Sequence, residues 1–316
     1  MSVEDNFFKD LVNNSEFKKI AYPEPYDERI LKAVRYLKDK KLVHPILLGD
    51  KNKIFEKASS LKIKIDDIEI IEIKKKEDFA KIIFENRKGK ITLEDAALLS
   101  LQPVYHAVCM LKAGYCDGVV SGASIPSKET FRPALQIIKN KEDSLASTFF
   151  IMLLKNDTYL FTDCALNIKP SSQEICDITL NAFEAAKKFG IKNSAALLSF
   201  STLGSASHHE SKKIEEAYNL LKNKYPDLEV IGEVQVDAVL DEKVGVRKGV
   251  DLLNPGIFVF PDLNSGNIGY KLVERFGGAR AIGPITWGLN KPVNDLSRGC
   301  SFEDVIMVSL ITSMQN

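Results

Sequence analysis

The chain has 316 residues, 45% of them apolar, enough for two domains or for one large α/β unit with a substantial core. Its 43 basic and 43 acidic side chains cancel, so no overall field draws it to nucleic acid or an anionic membrane, and anions must be held by a few local arginines. No window approaches the roughly 18–20 consecutive apolar residues that span a bilayer, residues 1–9 do not read as a secretory leader, and five sparse cysteines (Cys109, Cys116, Cys164, Cys176, Cys300) without a C-x-x-C pair read as reduced thiols of a cytoplasmic protein.

In chain order, residues 43–49 (VHPILLG) and 67–73 (DIEIIEI) read as strands. Residues 92–114 carry one long apolar-periodic helix with Gly114 as its C-cap, and a strand follows at 117–121. Residues 149–154 and 158–164 are β runs separated by Lys155-Asn156-Asp157, a hairpin signal. Helices are expected at 171–189, 209–223, 238–250, 266–276 and 301–314, with strands at 195–200, 228–232, 256–260 and 280–284 between them. Such β-α-β alternation, with near-continuous apolar strands, favours mostly parallel sheet covered by helices on both faces. Any domain boundary falls in short crossings near residues 142 and 286, because no repeat or flexible linker interrupts the chain.

Absent motifs narrow the function. There is no G-x-x-x-x-G-K-[ST], G-x-G-x-x-G, H-E-x-x-H or G-x-S-x-G. His208-His209 stands at a helix start, where adjacent side chains diverge, so no metal site is expected. Four segments are equipped for anions. Ser121–Ser127 leaves a strand and enters the helix holding Arg132, with Ser127 either a cap or a ligand contact. Ser201–Ser207 and Asp262–Tyr270 repeat that strand-to-helix pattern, at the carboxyl strand ends where ligands gather in open α/β sheets. The fourth segment, Pro292–Asp304, places Ser297, Arg298 and Asp304 within eight positions, beside Asn294 and Asp295. Its Ser301-Phe302-Glu303-Asp304 run is also a capping box, with Ser301 at N-cap and Asp304 at N3. A guanidinium holds phosphate, a hydroxyl donates to an oxyanion and a carboxylate accepts a proton, so cap and site are both open readings.

The runs VFPDLNSGNIGYKLVERFGGARAIGPI (259–285), GLNKPVNDLSRGCSFEDV (288–305), FRPALQII (131–138), FTDCALN (161–167), STLGSA (201–206) and GEVQVDA (232–238) resemble the phosphate acetyltransferase family. The resemblance extends from Phe7 to Met314. It implies a two-domain α/β homodimer like the isocitrate and isopropylmalate dehydrogenases, with residues 1–142 and 287–316 in a discontinuous first domain, 143–286 in the second, and the active site in the cleft between them. The implied reaction moves an acetyl group reversibly between CoA and phosphate. CoA is a substrate, with no covalently bound cofactor and no metal, nucleic acid or membrane partner. By match to the family's pattern, Ser297, Arg298 and Asp304 take its catalytic positions, and Arg132 and Arg87 fall where CoA- or phosphate-contacting arginines lie. Ser127, Asn267 and Asn294 complete the expected substrate contacts.

Asp304 is then read as the base that deprotonates the CoA thiol within a ternary complex, with Arg298 on the phosphate and Ser297 on the oxyanion. Cys300 as an acyl-carrying nucleophile is a competing reading, and it lacks a neighbouring histidine in the sequence. Departures from the family's pattern at Ser124–Thr130, Trp287 and His208-His209 are expected to touch the rim of the site and its acyl-chain fit. Phosphate butyryltransferase shares the chemistry. An NAD-dependent decarboxylating dehydrogenase is disfavoured by the missing dinucleotide loop, and a non-catalytic CoA-binding module by the presence of a base.

Overall fold

A computed structural model of the protein describes residues 2–138, 140, 144–251 and 254–315. It begins with α1 (Val3–Asn14), β1 (Lys19–Tyr22), α2 (Glu28–Asp39), β2 (His44–Leu48), α3 (Lys51–Ser60), β3 (Glu69–Ile71), α4 (Glu77–Asn86), α5 (Leu93–Leu99), α6 (Pro103–Ala113), β4 (Gly118–Ser121) and α7 (Ser127–Ile137). The chain continues through β5 (Ser147–Leu153), β6 (Thr158–Thr162), α8 (Ser172–Lys188), β7 (Ala195–Leu198), α9 (His209–Lys224), β8 (Val230–Val234), α10 (Val236–Leu240), α11 (Glu242–Lys248), β9 (Ile257–Val259), α12 (Leu263–Gly277) and β10 (Arg280–Trp287). It closes with β11 (Val293–Asp295) and α13 (Phe302–Met314). Contacts divide it into two units. A central unit holds Glu142–Gly288 with Met1–Glu4, and a terminal unit holds Asp5–Lys141 with Leu289–Asn316.

The terminal unit is built on a parallel sheet in the order β11-β4-β1-β2-β3. Parallel neighbours need crossovers, which the intervening helices supply, and β4 and β11 are buried along their whole length. Helix α13 packs on α2 and lies against β4 and β1, while α6 lies against β4 and α7 against β11. Every residue of α13 from Val305 to Met314 is buried. Its Ser309, Thr312 and Ser313 hydroxyls donate back to the carbonyls of Val305, Val308 and Leu310, which lets polar residues enter an apolar helix. Tyr22 on β1 donates to Ser309 Oγ at 2.8 Å, and burial raises its phenol well above the usual range.

The central unit has a mixed sheet in the order β10-β5-β6-β9-β7-β8, with β5 antiparallel to both neighbours. Consecutive strand residues point to opposite faces. Accordingly Phe150 stacks on Tyr270 of α12, ring centroids 3.9 Å apart, whereas Phe149 meets Phe189 and Trp287 on the face that α8 covers. Trp287, expected at a rim, is instead buried in this aromatic cluster and donates Nε1–H to Glu184.

Two expected helices are interrupted. The 92–114 helix breaks into α5 and α6 because Pro103 has no N–H to continue it and forces Gln102 into an extended conformation (φ −76°, ψ 134°). Gly114 does end α6, in the left-handed conformation (φ 82°). The 238–250 helix breaks at Asp241, which ends α10 and caps α11 by accepting the Lys243 and Val244 N–H groups. Strand β10 runs past Pro284, where its register with β5 shifts.

Candidate active site

Strands β11, β4 and β1 are neighbours, and the segments that leave their carboxyl ends meet. Glu24, just past β1, takes the donors of the turn after β4. Its carboxylate accepts from Ser121 Oγ (3.0 Å), from the N–H groups of Gly122, Ala123 (3.2 Å) and Ser124 (2.7 Å), and from Ser124 Oγ (2.6 Å). Arg29, in the first turn of α2, then joins that turn to the segment after β11. Its Nη2 donates to Ala123 O (2.5 Å) and its Nη1 to Arg298 O (2.8 Å) and Cys300 O (3.0 Å). Asp27 fixes Arg29 in a two-point ion pair, which raises the arginine above its ordinary pKa. Burial of Asp27 opposes its ionisation, yet the Arg29 bonds hold its carboxyl below the usual value.

On this frame Ser297 and Arg298 stand exposed. A tight turn shapes them: Cys300 N–H donates to Ser297 O (2.8 Å) and Gly299 N–H to Ser297 Oγ (3.3 Å). Both halves of the capping box are formed. Ser301 N–H donates to Asp304 Oδ2 (2.8 Å), and Asp304 N–H donates to Ser301 Oγ (3.2 Å). Asp304 is therefore a cap in the first turn of α13, four residues past a buried Cys300 and half-buried itself. Burial pushes the Cys300 thiol up to about 11, with only partial relief from Arg29, so a nucleophilic thiolate at neutral pH is disfavoured.

The remaining expected contacts separate. Exposed Arg132 on α7 lines a cavity of about 520 Å³ with Glu24, Tyr105, Ile125 and Lys128. Arg87, the C-cap residue of α4, lines a second cavity of about 470 Å³ with Lys88, Lys90 and Gln136. Tyr105 OH donates to Gln136 Oε1 (2.6 Å), so one hydrogen bond links a wall residue of each cavity. Burial raises the Tyr105 phenol, and the charges of both arginines pull it back. Ser127 is exposed at the first position of α7, where Pro126 holds the N-cap place. Asn294 is fully buried, with Nδ2 bonded to Thr312 Oγ1 (2.8 Å) and Gln315 Oε1 (2.5 Å), which places it in the support of α13 and away from any surface. Asn267 lies in the central unit, bonded to Cys164 O (3.2 Å) and to Lys271 Nζ (2.9 Å).

The three strand-to-helix turns expected to cradle anions are filled by the protein's own carboxylates. Glu24 occupies the first. Glu233 occupies the second, accepting from Ser201 Oγ (2.7 Å) and Gly204 N–H (2.9 Å). Asp262 caps the third through Ser265 N–H (2.9 Å). The FTDCALN run is closed the same way, with buried Asp163 accepting the N–H groups of Ala165, Leu166 and Asn167. His208 is the N-cap of α9, its Nδ1 accepting Glu210 N–H. Among the described residues no cluster of His, Cys, Asp or Glu is arranged to hold a metal ion.

The comparisons with known proteins agree on one family. A family model described as phosphate acetyl/butaryl transferase matches residues 3–313. The chain belongs to the phosphate acetyl/butyryl transferase family. It is 43% identical to the phosphate acetyltransferase of Bacillus subtilis over 304 residues, covering 94% of each chain. The crystal structure of a phosphotransacetylase from Streptococcus pyogenes superposes with a TM-score of 0.93 at 42% identity, covering 100% of this chain and 99% of that one. A putative 4-hydroxythreonine-4-phosphate dehydrogenase from Salmonella typhimurium shares the fold alone, with a TM-score of 0.54 at 13% identity over 95% of this chain and 99% of that one. This member of the phosphate acetyl/butyryl transferase family is thus an acyltransferase on a dehydrogenase-like α/β fold. Glu24 and Arg29, which tie these segments together, and the buried Asp295 were not among the expected site residues. The one sequence signal was the acidic residue ending Val293-Asn294-Asp295, a short strand too brief to read by periodicity.

Proposed function

We propose that the protein transfers an acetyl group reversibly between CoA and phosphate in a ternary complex, with Asp304 as the base. The carrying observation is the exposed Ser297-Arg298 turn, pinned through its carbonyls by Arg29 and leading directly into the helix whose first turn holds Asp304. Asp304 takes the thiol proton, the thiolate attacks the acetyl phosphate carbonyl, and the carbonyl–oxygen bond to phosphate breaks as the thioester forms. A thiol of pKa about 8.5 is far weaker an acid than a carboxylic acid, so proton removal is concerted with attack. Arg298 holds the phosphate in both directions and Ser297 donates to the oxyanion, where charge develops. Arg132 and Arg87, lining two cavities whose wall residues Tyr105 and Gln136 are hydrogen-bonded to each other, suit the phosphates of an extended CoA.

The acetyl reading is supported over butyryl by the phosphate acetyltransferase relatives. The proposal extends to a cytoplasmic homodimer. Supporting the dimer, α12 presents Ile268, Leu272 and Phe276 to solvent at four-residue spacing, with Phe276 87% exposed. No helix among the described residues is long and apolar enough to cross a membrane. The test mixes the protein with CoA and acetyl phosphate, or butyryl phosphate, and follows thioester formation. Acetyl phosphate is expected to react faster, and Arg298→Ala to abolish most of the rate. Faster butyryl transfer, or a fully active Arg298→Ala, refutes this assignment.

A further inference from the structure

Asp295 ends β11 fully buried, two residues before Ser297. Neither of its carboxylate oxygens makes a well-formed hydrogen bond, and neither does the buried Thr130 Oγ1 on α7. A buried carboxyl group without a well-formed hydrogen bond is costly, so its presence calls for a physical reason. The groups facing it come from every neighbouring segment. The Glu24 charge, from the segment after β1, opposes its ionisation. The Ser127 and Thr130 hydroxyls of α7 and the Leu296 N–H of its own segment favour ionisation from close by. From the end of β4 comes Gly122 (φ 102°), so close that a Cβ there would lie 2.1 Å from Asp295 Oδ1 and 2.7 Å from Leu296 N. Burial outweighs the favourable contacts and pushes the carboxyl up to about 7.

We propose that Asp295 is a positioning residue for acyl transfer: its carboxyl group, wedged between the Gly122 turn and the first turn of α7, sets where the Ser297–Arg298 turn stands. The role rests on the acyl-transfer reading above. Protonated, the acid has an O–H to give to Thr130 or Ser127, and its contact with the Gly122 turn carries no second charge beside Glu24. Ionised, it is an unpaired buried anion next to another carboxylate. The native value lies above the ordinary 3.8, so the support is complete in acid and is lost as pH rises through about 7. The Gly122 turn is also the one Arg29 grips through Ala123 O while holding Arg298 O, so a displacement there reaches the reacting segment.

The experiment compares kcat, both KM values and melting temperature for wild type, Asp295→Asn and Asp295→Ala between about pH 6 and about pH 8.5. Asparagine keeps the shape and a donor but cannot ionise. Its kcat relative to wild type is expected to rise about threefold or more across that range, with the CoA KM changed by less than about twofold. Asp295→Ala is expected to lose about tenfold in kcat at the acid end. If the alanine variant does not fold, the asparagine ratio decides alone. A flat ratio in an active wild type, or wild-type kcat in Asp295→Ala, overturns the assignment of Asp295. A wild type that forms no thioester instead overturns the acyl-transfer reading beneath it.

Discussion

At the residue scale, Ser297, Arg298 and Asp304 were legible as a candidate site because they lie within eight positions of one another, and each carries a distinct chemistry. The residues that hold them were not. Glu24 reaches Ser121 across 97 positions, and Arg29 reaches Arg298 across 269, so no local spacing announces either contact. The same distance hides what fills two of the strand-to-helix turns: a Gly- and Ser-rich strand end looks like an open anion cradle, while Glu24 and Glu233 reach into it from elsewhere in the chain. Removing a single oxyanion donor costs about 10²–10³ in kcat in a comparable role, so Ser297→Ala is expected to lose that much. Asp304→Asn is expected to lose more, whereas Cys300→Ser, replacing a thiol raised to about 11, is expected to stay within about threefold of wild type. Steady-state kinetics with both substrates check all three. An inactive, folded Cys300→Ser showing ping-pong kinetics in the wild type would restore the acyl-cysteine route.

At the element scale, α13 does two jobs with one turn. Its buried body anchors the terminal unit, and its capping box fixes where Asp304 sits. The two roles separate by mutation. Ser301→Ala removes the hydroxyl that accepts Asp304 N–H and is expected to cost about 1 kcal/mol of stability in denaturant unfolding, with a loss of only a few-fold in kcat. Asp304→Asn keeps an oxygen for the Ser301 N–H, so it is expected to change stability less while removing the base. Equal and large activity losses in both variants would mean that the cap geometry, not the carboxylate, is what catalysis requires. The long helices with capping boxes at Ser171 and Ser301 were readable from their start signals. The breaks at Gln102 and Asp241 were missed because apolar periodicity continues through them while Pro103 and a capping carboxylate interrupt the hydrogen-bond ladder.

At the scale of the whole molecule, β-α-β alternation was enough to give parallel sheets with helices on both faces, and the exceptions are physical. Strand β5 runs antiparallel because a short turn at 154–157 joins it to β6, and β11 pairs with β4 only because the end of the chain returns to the terminal unit. Composition cannot show which exposed apolar residues await a partner, since single exposed ones are ordinary. The α12 stripe differs: Ile268, Leu272 and Phe276 recur every four residues, so they share one helix face. Burying three such side chains against a second copy contributes about 1.5–3 kcal/mol each, before the costs of association. A charge placed in that face cannot be buried unpaired, so if the protein is the proposed homodimer, Leu272→Glu with Phe276→Glu is expected to convert it to monomer in analytical ultracentrifugation, while circular dichroism stays unchanged. All of the residues proposed to act in the reaction lie in the terminal unit, and α12 belongs to the central one. Monomeric variants that keep thioester formation would show that each chain carries a complete site. Loss of activity in parallel with dissociation would make the second copy part of it, and an unchanged dimer would move the interface off α12.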